Sequence, residues 1–322
     1  MKILVTGGAG YIGSITVHEL IKAGHEVTVF DSLVKGRKEA VAGLDLVIGE
    51  TQDKEFLTKV MTEKKIEAVV HFAAFIEMAE SMEDPYQYFY NNTYGSLQLI
   101  KAMFEAKIDK LVFSSTAGVY GNPERVPIKE DDRKQPTNPY GESKLMVEQM
   151  LKWFDKVHHL RSISLRYFNA AGATLDGELG EAHDPESHLI PNLIKAGLRD
   201  EQVTIFGSDY PTPDKTCIRD YIHVLDLVAA HIIALEALMA GHPTAVYNVG
   251  TGEGFSNKTV VEMVEKVMGK ALNIKYGVRR PGDAVKLIAD SSKLQNELSW
   301  KPQHSDLETI IKTAYSWHKR QV

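Results

Sequence analysis

An α/β architecture, a doubly wound parallel sheet with a second, smaller α/β lobe, is expected from three features of this 322-residue chain. The first is a glycine loop, Thr6-Gly7-Gly8-Ala9-Gly10-Tyr11-Ile12-Gly13, set between the apolar run Ile3-Leu4-Val5 and the helical pattern Ile15, Val17, Leu20, Ile21. The second is the recurrence of short apolar runs separated by helix-length stretches, the alternation that builds parallel sheets. The third is length, because roughly 100–200 residues make one domain.

The loop's helix leads to a second apolar run, Val27-Thr28-Val29-Phe30, which ends in Asp31 and completes a βαβ unit. Glycine has a specific use there. A diphosphate must approach bare backbone N–H groups at a helix N-terminus, and a Cβ would hold it off. Gly8, Gly10 and Gly13 fit the dinucleotide pattern, and Gly7, Gly10 and Gly13 fit its wider-spaced variant. Asp31 ends the second strand, where a carboxylate accepts both hydroxyls of an adenosine ribose and repels a 2′-phosphate. NAD is therefore expected over NADP, in a Rossmann-type domain.

Further along, Leu44 to Ile48 is mostly apolar, and Glu50 beyond it either meets the adenine or simply ends a strand. A helical stretch, Asp53 to Lys64, precedes the strand Ala68 to Phe72, and the small residues Ala73 and Ala74 at its exit let a cofactor lie against backbone. His71, inside that strand pattern, reads as a satisfied core histidine. Asp84-Pro85 starts a helix with Leu97, Leu99, Ile100 and Met103 on its inner side. Asn92 can reach the cofactor from it, and Tyr86, Tyr88, Phe89 and Tyr90 read as core or lobe-packing residues. The next strand, Leu111-Val112-Phe113, runs into Ser114-Ser115-Thr116, hydroxyls placed to hold a ligand hydroxyl. After a proline-rich stretch from Asn122 to Pro139, a helix begins at Tyr140 and returns to a strand, Ser162 to Phe168, which exits at Asn169. Domains are expected at 1–172 and 173–322, with segments such as Val246 to Val249 returning to the main sheet.

A net charge of −6 provides no broad cationic field, so nucleic acid and anionic membrane surfaces are not expected partners. No apolar run approaches the roughly 18 residues of a membrane span, and the chain starts directly on a core strand; a cytoplasmic protein is expected. The single cysteine, Cys217, excludes an internal disulfide and a multi-cysteine metal site, and no metal is expected.

The chemistry-bearing group is Tyr140 and Lys144, four apart at a helix start and so on one face. A phenol with pKa of about 10 is a poor base at neutral pH, and lowering it by about three units takes roughly 4 kcal/mol of preference for phenolate. An ammonium one turn away and an oxidised nicotinamide are the charges that can supply it. Thr116, at a strand exit, would hydrogen-bond the substrate oxygen whose proton Tyr140 removes.

With these residues in place, the chain resembles the extended short-chain dehydrogenases/reductases, most closely their UDP-sugar 4-epimerases. The matching stretches are Val5 to Ser14, His71 to Asn92, Ser114 to Gly121, Pro139 to Leu151, Leu165 to Gly172, Arg219 to Asp226 and Arg279 to Asp283. The resemblance implies catalysis by Thr116, Tyr140 and Lys144. It implies cofactor contacts from Gly7, Gly10, Tyr11, Ile12, Gly13, Asp31, Glu50, Phe72, Ala73, Ala74, Asn92, Ser114, Tyr140, Lys144 and Tyr167. UDP-sugar contacts are implied for Asn169, His188, Leu189, Thr204, Phe206, Arg219, Tyr221, Arg280, Asp283 and Leu287. Related dehydratases carry an acid pair right after the catalytic hydroxyl, whereas Ala117 and Gly118 follow Thr116 here. The expected reaction is therefore redox-neutral inversion at C4 of UDP-glucose or UDP-galactose. Leu287 stands where some epimerases carry a tyrosine, which implies room for an N-acetylated sugar. Alternatives are a UDP-glucuronate or other UDP-sugar 4-epimerase and a non-catalytic NAD-sensing regulator. Helices near Asn91 to Phe104 and Ser143 to Phe154, apolar on more than one side, suggest the family's homodimer contact.

Overall fold

The computed structural model describes residues 1–279 and 283–321. In chain order the elements are β1 (Lys2–Thr6), α1 (Tyr11–Lys22), β2 (Glu26–Asp31), β3 (Asp45–Ile48), α2 (Lys54–Lys64), β4 (Ala68–His71), α3 (Met78–Glu83), α4 (Pro85–Tyr88), a π-turn (Phe89–Tyr94), α5 (Gly95–Glu105), β5 (Lys110–Thr116), a 3-10 turn (Ala117–Tyr120), α6 (Pro139–His158), β6 (Arg161–Tyr167) and β7 (Asn169–Ala171). They continue with α7 (Leu189–Arg199), β8 (Gln202–Phe206), β9 (Ile218–Arg219), β10 (Tyr221–His223), α8 (Val224–Met239), β11 (Ala245–Val249), β12 (Phe255–Ser256), α9 (Asn257–Met268), β13 (Asn273–Gly277), β14 (Lys286–Leu287), α10 (Ser292–Leu298) and α11 (Leu307–Lys319).

Among the described residues the main sheet has seven strands in the order β11-β6-β5-β4-β1-β2-β3. The chain steps from β1 outward to β3, then crosses back to β4 on the other side of β1. Strand order reverses beside β1, which is where open parallel sheets bind ligands at their carboxyl edge. Register levels that edge: Thr6 lies opposite Phe30 of β2 and opposite His71 of β4, both parallel. Every residue of β4, and all but the first of β1, is buried, as expected for strands covered on both faces.

The chain partitions into two compact units that interleave along the sequence, where a single boundary near Gly172 was expected. The first comprises Met1–Tyr120, Lys134–Arg166 and Val228–Tyr247; the second comprises Gly121–Arg133, Tyr167–Leu227 and Asn248–Val322. Val246 to Val249, expected to rejoin the main sheet, forms β11 at its edge. In the first unit, Leu4, Phe30, Val69, Leu99, Phe113 and Leu151 belong to one buried cluster that joins the sheet to α5 and α6. In the second, α7, α9 and α11 bury Ile190, Ile194, Val260, Val264, Ile310 and Ile311 together. Among the described residues no helix is long and apolar enough to cross a membrane.

The aromatic residues before α5 divide, Tyr88 being packed as expected and Tyr86 and Tyr90 not. Tyr88 is fully buried, with its hydroxyl on the Glu77 carbonyl and the Glu80 carboxylate at 2.7 and 2.8 Å. Tyr86 and Tyr90, expected to be packed, are 74 % and 45 % exposed. They lie four residues apart on the face turned outward.

The glycine loop closes on itself so tightly that side chains have no room. A Cβ on Gly13 would overlap the Gly7 carbonyl oxygen. Gly13→Ala is expected to open the loop, at a cost of roughly 1–3 kcal/mol. Thermal melts should show a loss of about 2–4 °C per kcal/mol, with dinucleotide affinity falling in parallel titrations.

Candidate active site

Gly7 turns out of β1 with φ +70°, a left-handed conformation that a side chain disfavours. Its N–H reaches the Phe30 carbonyl at 2.8 Å, and a Cβ there would come within 2.5 Å of the Ala73 nitrogen. The exits of β1, β2 and β4 therefore meet backbone to backbone, with Phe72 and Ala73 donating their N–H groups to the Thr6 carbonyl at 2.9 and 3.1 Å. Gly10 sits at the N-cap of α1, and no side chain caps the first turn that carries Tyr11, Ile12 and Gly13. A phosphate is the natural complement of such a terminus.

Asp31 is buried and does more than the sequence indicated. Its Oδ2 accepts the Ala9 N–H at 2.9 Å and its Oδ1 accepts the Leu33 N–H at 2.8 Å, so the carboxylate fixes the glycine loop and the turn after β2. Each oxygen has a second lone pair, which leaves acceptor capacity for ribose hydroxyls. Glu50 lies exposed just beyond β3. Asn92 is buried, and its amide is used within the protein: Nδ2 donates to the Phe75 carbonyl (3.0 Å) and Ser143 Oγ (3.1 Å), and Oδ1 accepts from the Phe75 N–H (2.8 Å) and Asn91 Nδ2 (3.0 Å). It is a strut between the β4 exit and α6. The glycine loop, the open helix terminus and the acid on β2 together fit a dinucleotide.

Thr116 ends β5, and its Oγ1 accepts the Gly118 N–H at 3.0 Å, which leaves the hydroxyl proton to donate elsewhere. Tyr140 and Lys144 occupy the first turns of α6. Asn138 caps that helix by accepting the Gly141 N–H at 2.8 Å, and Pro139 takes the first helical position. A Cβ on Gly141 would come within 2.6 Å of the Gly118 oxygen, so the first turn of α6 packs directly on the turn after Thr116. Gly141 was not identified from the sequence; only its neighbour in space shows why it is glycine.

Lys144 is buried, with Nζ 2.9 Å from the Ser114 carbonyl and 5.0 Å from the centre of the Phe113 ring. Burial lowers its pKa to about 7, against the opposing pull of the Glu148 carboxylate. His71 is neutral for the same reason: burial first, then the charge of Lys144, lower its pKa to about 3. Its ring nitrogens pair with Thr6 Oγ1 at 2.6 Å and Ser96 Oγ at 2.8 Å, so it supports the sheet edge from inside the core.

In the second unit Asn169 is on β7 and its Nδ2 donates to the Asp220 carbonyl at 2.9 Å. Arg219, on β9, donates to the Ile218 and Ala284 carbonyls at 3.0 and 2.8 Å and lies 3.4 Å from the Asp283 carboxylate. Tyr221 is buried on β10, and Leu287 on β14 lies beside Arg219 in register. Thr204 and Phe206 lie on β8, paired with β13. His188 is the N-cap of α7 and Leu189 its first residue. Tyr167 ends β6. Arg280 lies outside the described residues.

His188 belongs to a cluster with Glu181, His183 and Glu186, whose ligating atoms lie within 4.8 Å of one another. The cluster is tied internally and to α7: Glu181 Oε1 is 2.7 Å from His188 Nδ1 and 2.9 Å from His183 Nδ1, and Lys195 Nζ is 3.1 Å from Glu186 Oε2. Burial opposes a charge on His188, but the two glutamates outweigh it and raise its pKa well above the usual histidine value. The sequence resemblance marked His188 as a sugar contact and did not indicate its ion pairing with Glu181 and Glu186.

The first unit is thus an α/β dinucleotide-binding domain with Thr116 at a strand exit and Tyr140 and Lys144 on the first turns of the helix beside it. Residues 3–250 match the profile of the NAD dependent epimerase/dehydratase family. Over 322 residues the chain is 48 % identical to a UDP-glucose 4-epimerase of Lacticaseibacillus casei, covering 99 % of this chain and 97 % of that one. It superimposes on a crystal structure of a UDP-glucose 4-epimerase with a TM-score of 0.97 at 46 % identity, covering 100 % and 98 % of the two chains. For the UDP-glucose 4-epimerase of Brucella ovis in complex with NAD the values are 0.94 and 42 %, covering 98 % and 97 %. The chain belongs to the NAD-dependent epimerase/dehydratase family.

A buried lysine with a lowered pKa opposes folding. Below pH of about 7 both folded and unfolded chains carry the charge, and the folded one bears the full desolvation cost; between about 7 and 10.5 the folded lysine sheds its proton and the cost fades. Lys144→Met is therefore expected to raise Tm near and below neutral pH, with the gain shrinking as pH approaches 10. Melts across that range check it, and a Tm lowered at every pH would contradict it.

Proposed function

We infer that the protein is an isomerase that interconverts UDP-glucose and UDP-galactose by inverting C4, and that it uses NAD. The observation that carries this reading is Thr116, Tyr140 and the buried Lys144 at the β5 exit and the start of α6, with Ala117 and Gly118 where a dehydratase needs its acids. When bound, NAD supplies the two-electron acceptor and donor for the C4 hydrogen.

The chain's own residues handle the proton. Tyr140 as phenolate takes the C4 hydroxyl proton while Thr116 Oγ1 donates a hydrogen bond to that oxygen, and the ammonium of Lys144 stabilises the phenolate beforehand. The C4 carbon becomes a ketone. Tyr140 later returns its proton to the same oxygen, so the enzyme ends as it began and no net oxidation occurs. Asn169, Arg219, Arg280 and Asp283 are proposed to grip the UDP diphosphate and sugar, with Arg219 drawn from its Asp283 pairing onto phosphate oxygens. A firm grip on UDP and a loose grip on the sugar let the ketone present its other face. Leu287 leaves room beside C2 for an N-acetyl group. A cytoplasmic location is part of this reading.

Incubation with NAD and, separately, UDP-galactose, UDP-N-acetylgalactosamine and UDP-galacturonate, followed by product analysis, tests the proposal. UDP-glucose from UDP-galactose without NADH build-up is expected, and Tyr140→Phe should lower turnover by at least about 10². Unchanged stereochemistry in all three sugars would refute it.

A homodimer is proposed as well, with a second copy covering the outward side of α4, the π-turn, α5 and α6. Tyr86, Tyr90 and Tyr94 stack there in a ladder with ring centres 5.8 and 5.3 Å apart, and Phe104, Met146, Trp153 and Val157 are exposed in the same helices. Sedimentation should give twice the chain mass for the native protein and the chain mass for a Tyr90→Glu/Trp153→Glu variant. A native monomer would exclude the proposed dimer.

A further inference from the structure

One buried carboxylate is not used by the chemistry above. Glu148 follows Lys144 by one turn on the same face of α6, and its side chain is 5 % exposed. Ser115 Oγ donates to its Oε1 at 2.5 Å. Arg166, on β6 and equally buried, donates from Nε to both oxygens at 2.9 and 3.2 Å and from its Nη2 to Oε2 at 2.5 Å. The remaining arm of Arg166 donates from Nη1 to the Tyr120 hydroxyl at 2.8 Å. One carboxylate thus joins β5, the 3-10 turn, α6 and β6.

Consecutive residues of β5 meet consecutive turns of α6. The Ser114 carbonyl receives Lys144, Ser115 Oγ engages Glu148, and Thr116 supplies the catalytic hydroxyl. A helix held by apolar packing alone can slide by fractions of an ångström; two polar contacts one turn apart fix its height. We propose that Glu148 is a positioning residue for the reaction: braced by Arg166, Ser115 and Tyr120, it sets the register of α6 on β5 and keeps the Lys144 ammonium charged beside Tyr140. The proposal rests on the catalytic roles inferred above for Tyr140 and Lys144. The charged and titratable groups facing this cluster are His71 from β4, Glu148 itself, Arg166 from β6 and Tyr120 from the 3-10 turn. Of these, Glu148 attracts charge onto Lys144, whereas burial and His71 do not.

The sign of its removal follows. Without Glu148 the lysine loses its proton at lower pH, and the phenol, deprived of its cation, loses its own at higher pH. Glu148→Gln keeps the shape but takes the carboxylate charge from beside buried Arg166, so Glu148→Gln/Arg166→Met is made beside it to remove both charges. In both variants the alkaline limb of kcat/KM is expected to move down by about one pH unit, a tenfold change in Lys144 protonation. Glu148→Asp should recover part of it. Ultraviolet tyrosinate titration, taken as the difference from the same protein carrying Tyr140→Phe, should show the Tyr140 phenol ionising at higher pH in both variants. That titration needs no sugar. A wild type that turns over no UDP-sugar refutes the functional reading, whereas pH limbs and tyrosinate titration unchanged in folded variants overturn the role of Glu148.

Discussion

A charged amine with almost no water around it is the constraint on which the active-site side of this molecule depends. In the proposed mechanism Lys144 has to be dry to act strongly on a neighbouring phenol, because a cation in water is screened. Dryness also discourages the charge, as its lowered pKa shows. The fold answers with a carbonyl at 2.9 Å, an aromatic face at 5.0 Å and a carboxylate one turn away. Neither the carbonyl nor the ring would be in range unless α6 lay almost in contact with β5, and the glycine at Gly141, against the Gly118 backbone, permits that approach.

The other half of the carboxyl edge obeys a matching rule, that backbone must meet backbone. Gly7 and Gly13 let the β1 exit fold under α1, and the N–H groups of Phe72 and Ala73 tie β4 to the same carbonyl. Asp31 then serves two purposes with one side chain. Its hydrogen bonds from the Ala9 and Leu33 N–H groups hold the glycine loop in shape, which reduces any ordering that ligand binding would have to impose. Below the loop, Thr6, His71 and Ser96 form a neutral polar chain, so the edge is rigid without adding a charge that would compete with Lys144.

Local signals carried most of the first unit. The apolar runs, the glycine loop, Asp31 and the four-residue spacing of Tyr140 and Lys144 are all short-range patterns, and the strands and helices form where those patterns place them. Long-range partnerships were not legible. Asp220 and Asp226 sit in the stretch that resembles a ligand-binding motif, yet each organises backbone. Asp220 accepts from Thr251, Gly252 and Ala289, and Asp226 accepts from Gln303, His304 and Ser305. No spacing rule connects residues tens of positions apart, and for the same reason the interleaved units, the strut at Asn92 and the Arg166 partner of Glu148 emerge only in three dimensions.

Chemistry that stops at inversion needs a site that does one thing and cannot do the next. In the mechanism proposed above, Tyr140 takes a proton from an alcohol and returns it, and in returning it restores its own starting state. A further step, loss of water from an oxidised sugar, needs a second acid near the catalytic hydroxyl. The two positions after Thr116 hold Ala117, which is buried, and Gly118, whose carbonyl lies against α6. The packing that brings α6 close enough to make Lys144 effective thus runs through the turn where an additional acid would stand. In the proposed mechanism, electrostatic activation of the phenol and restriction to a reversible outcome both follow from the same close contact.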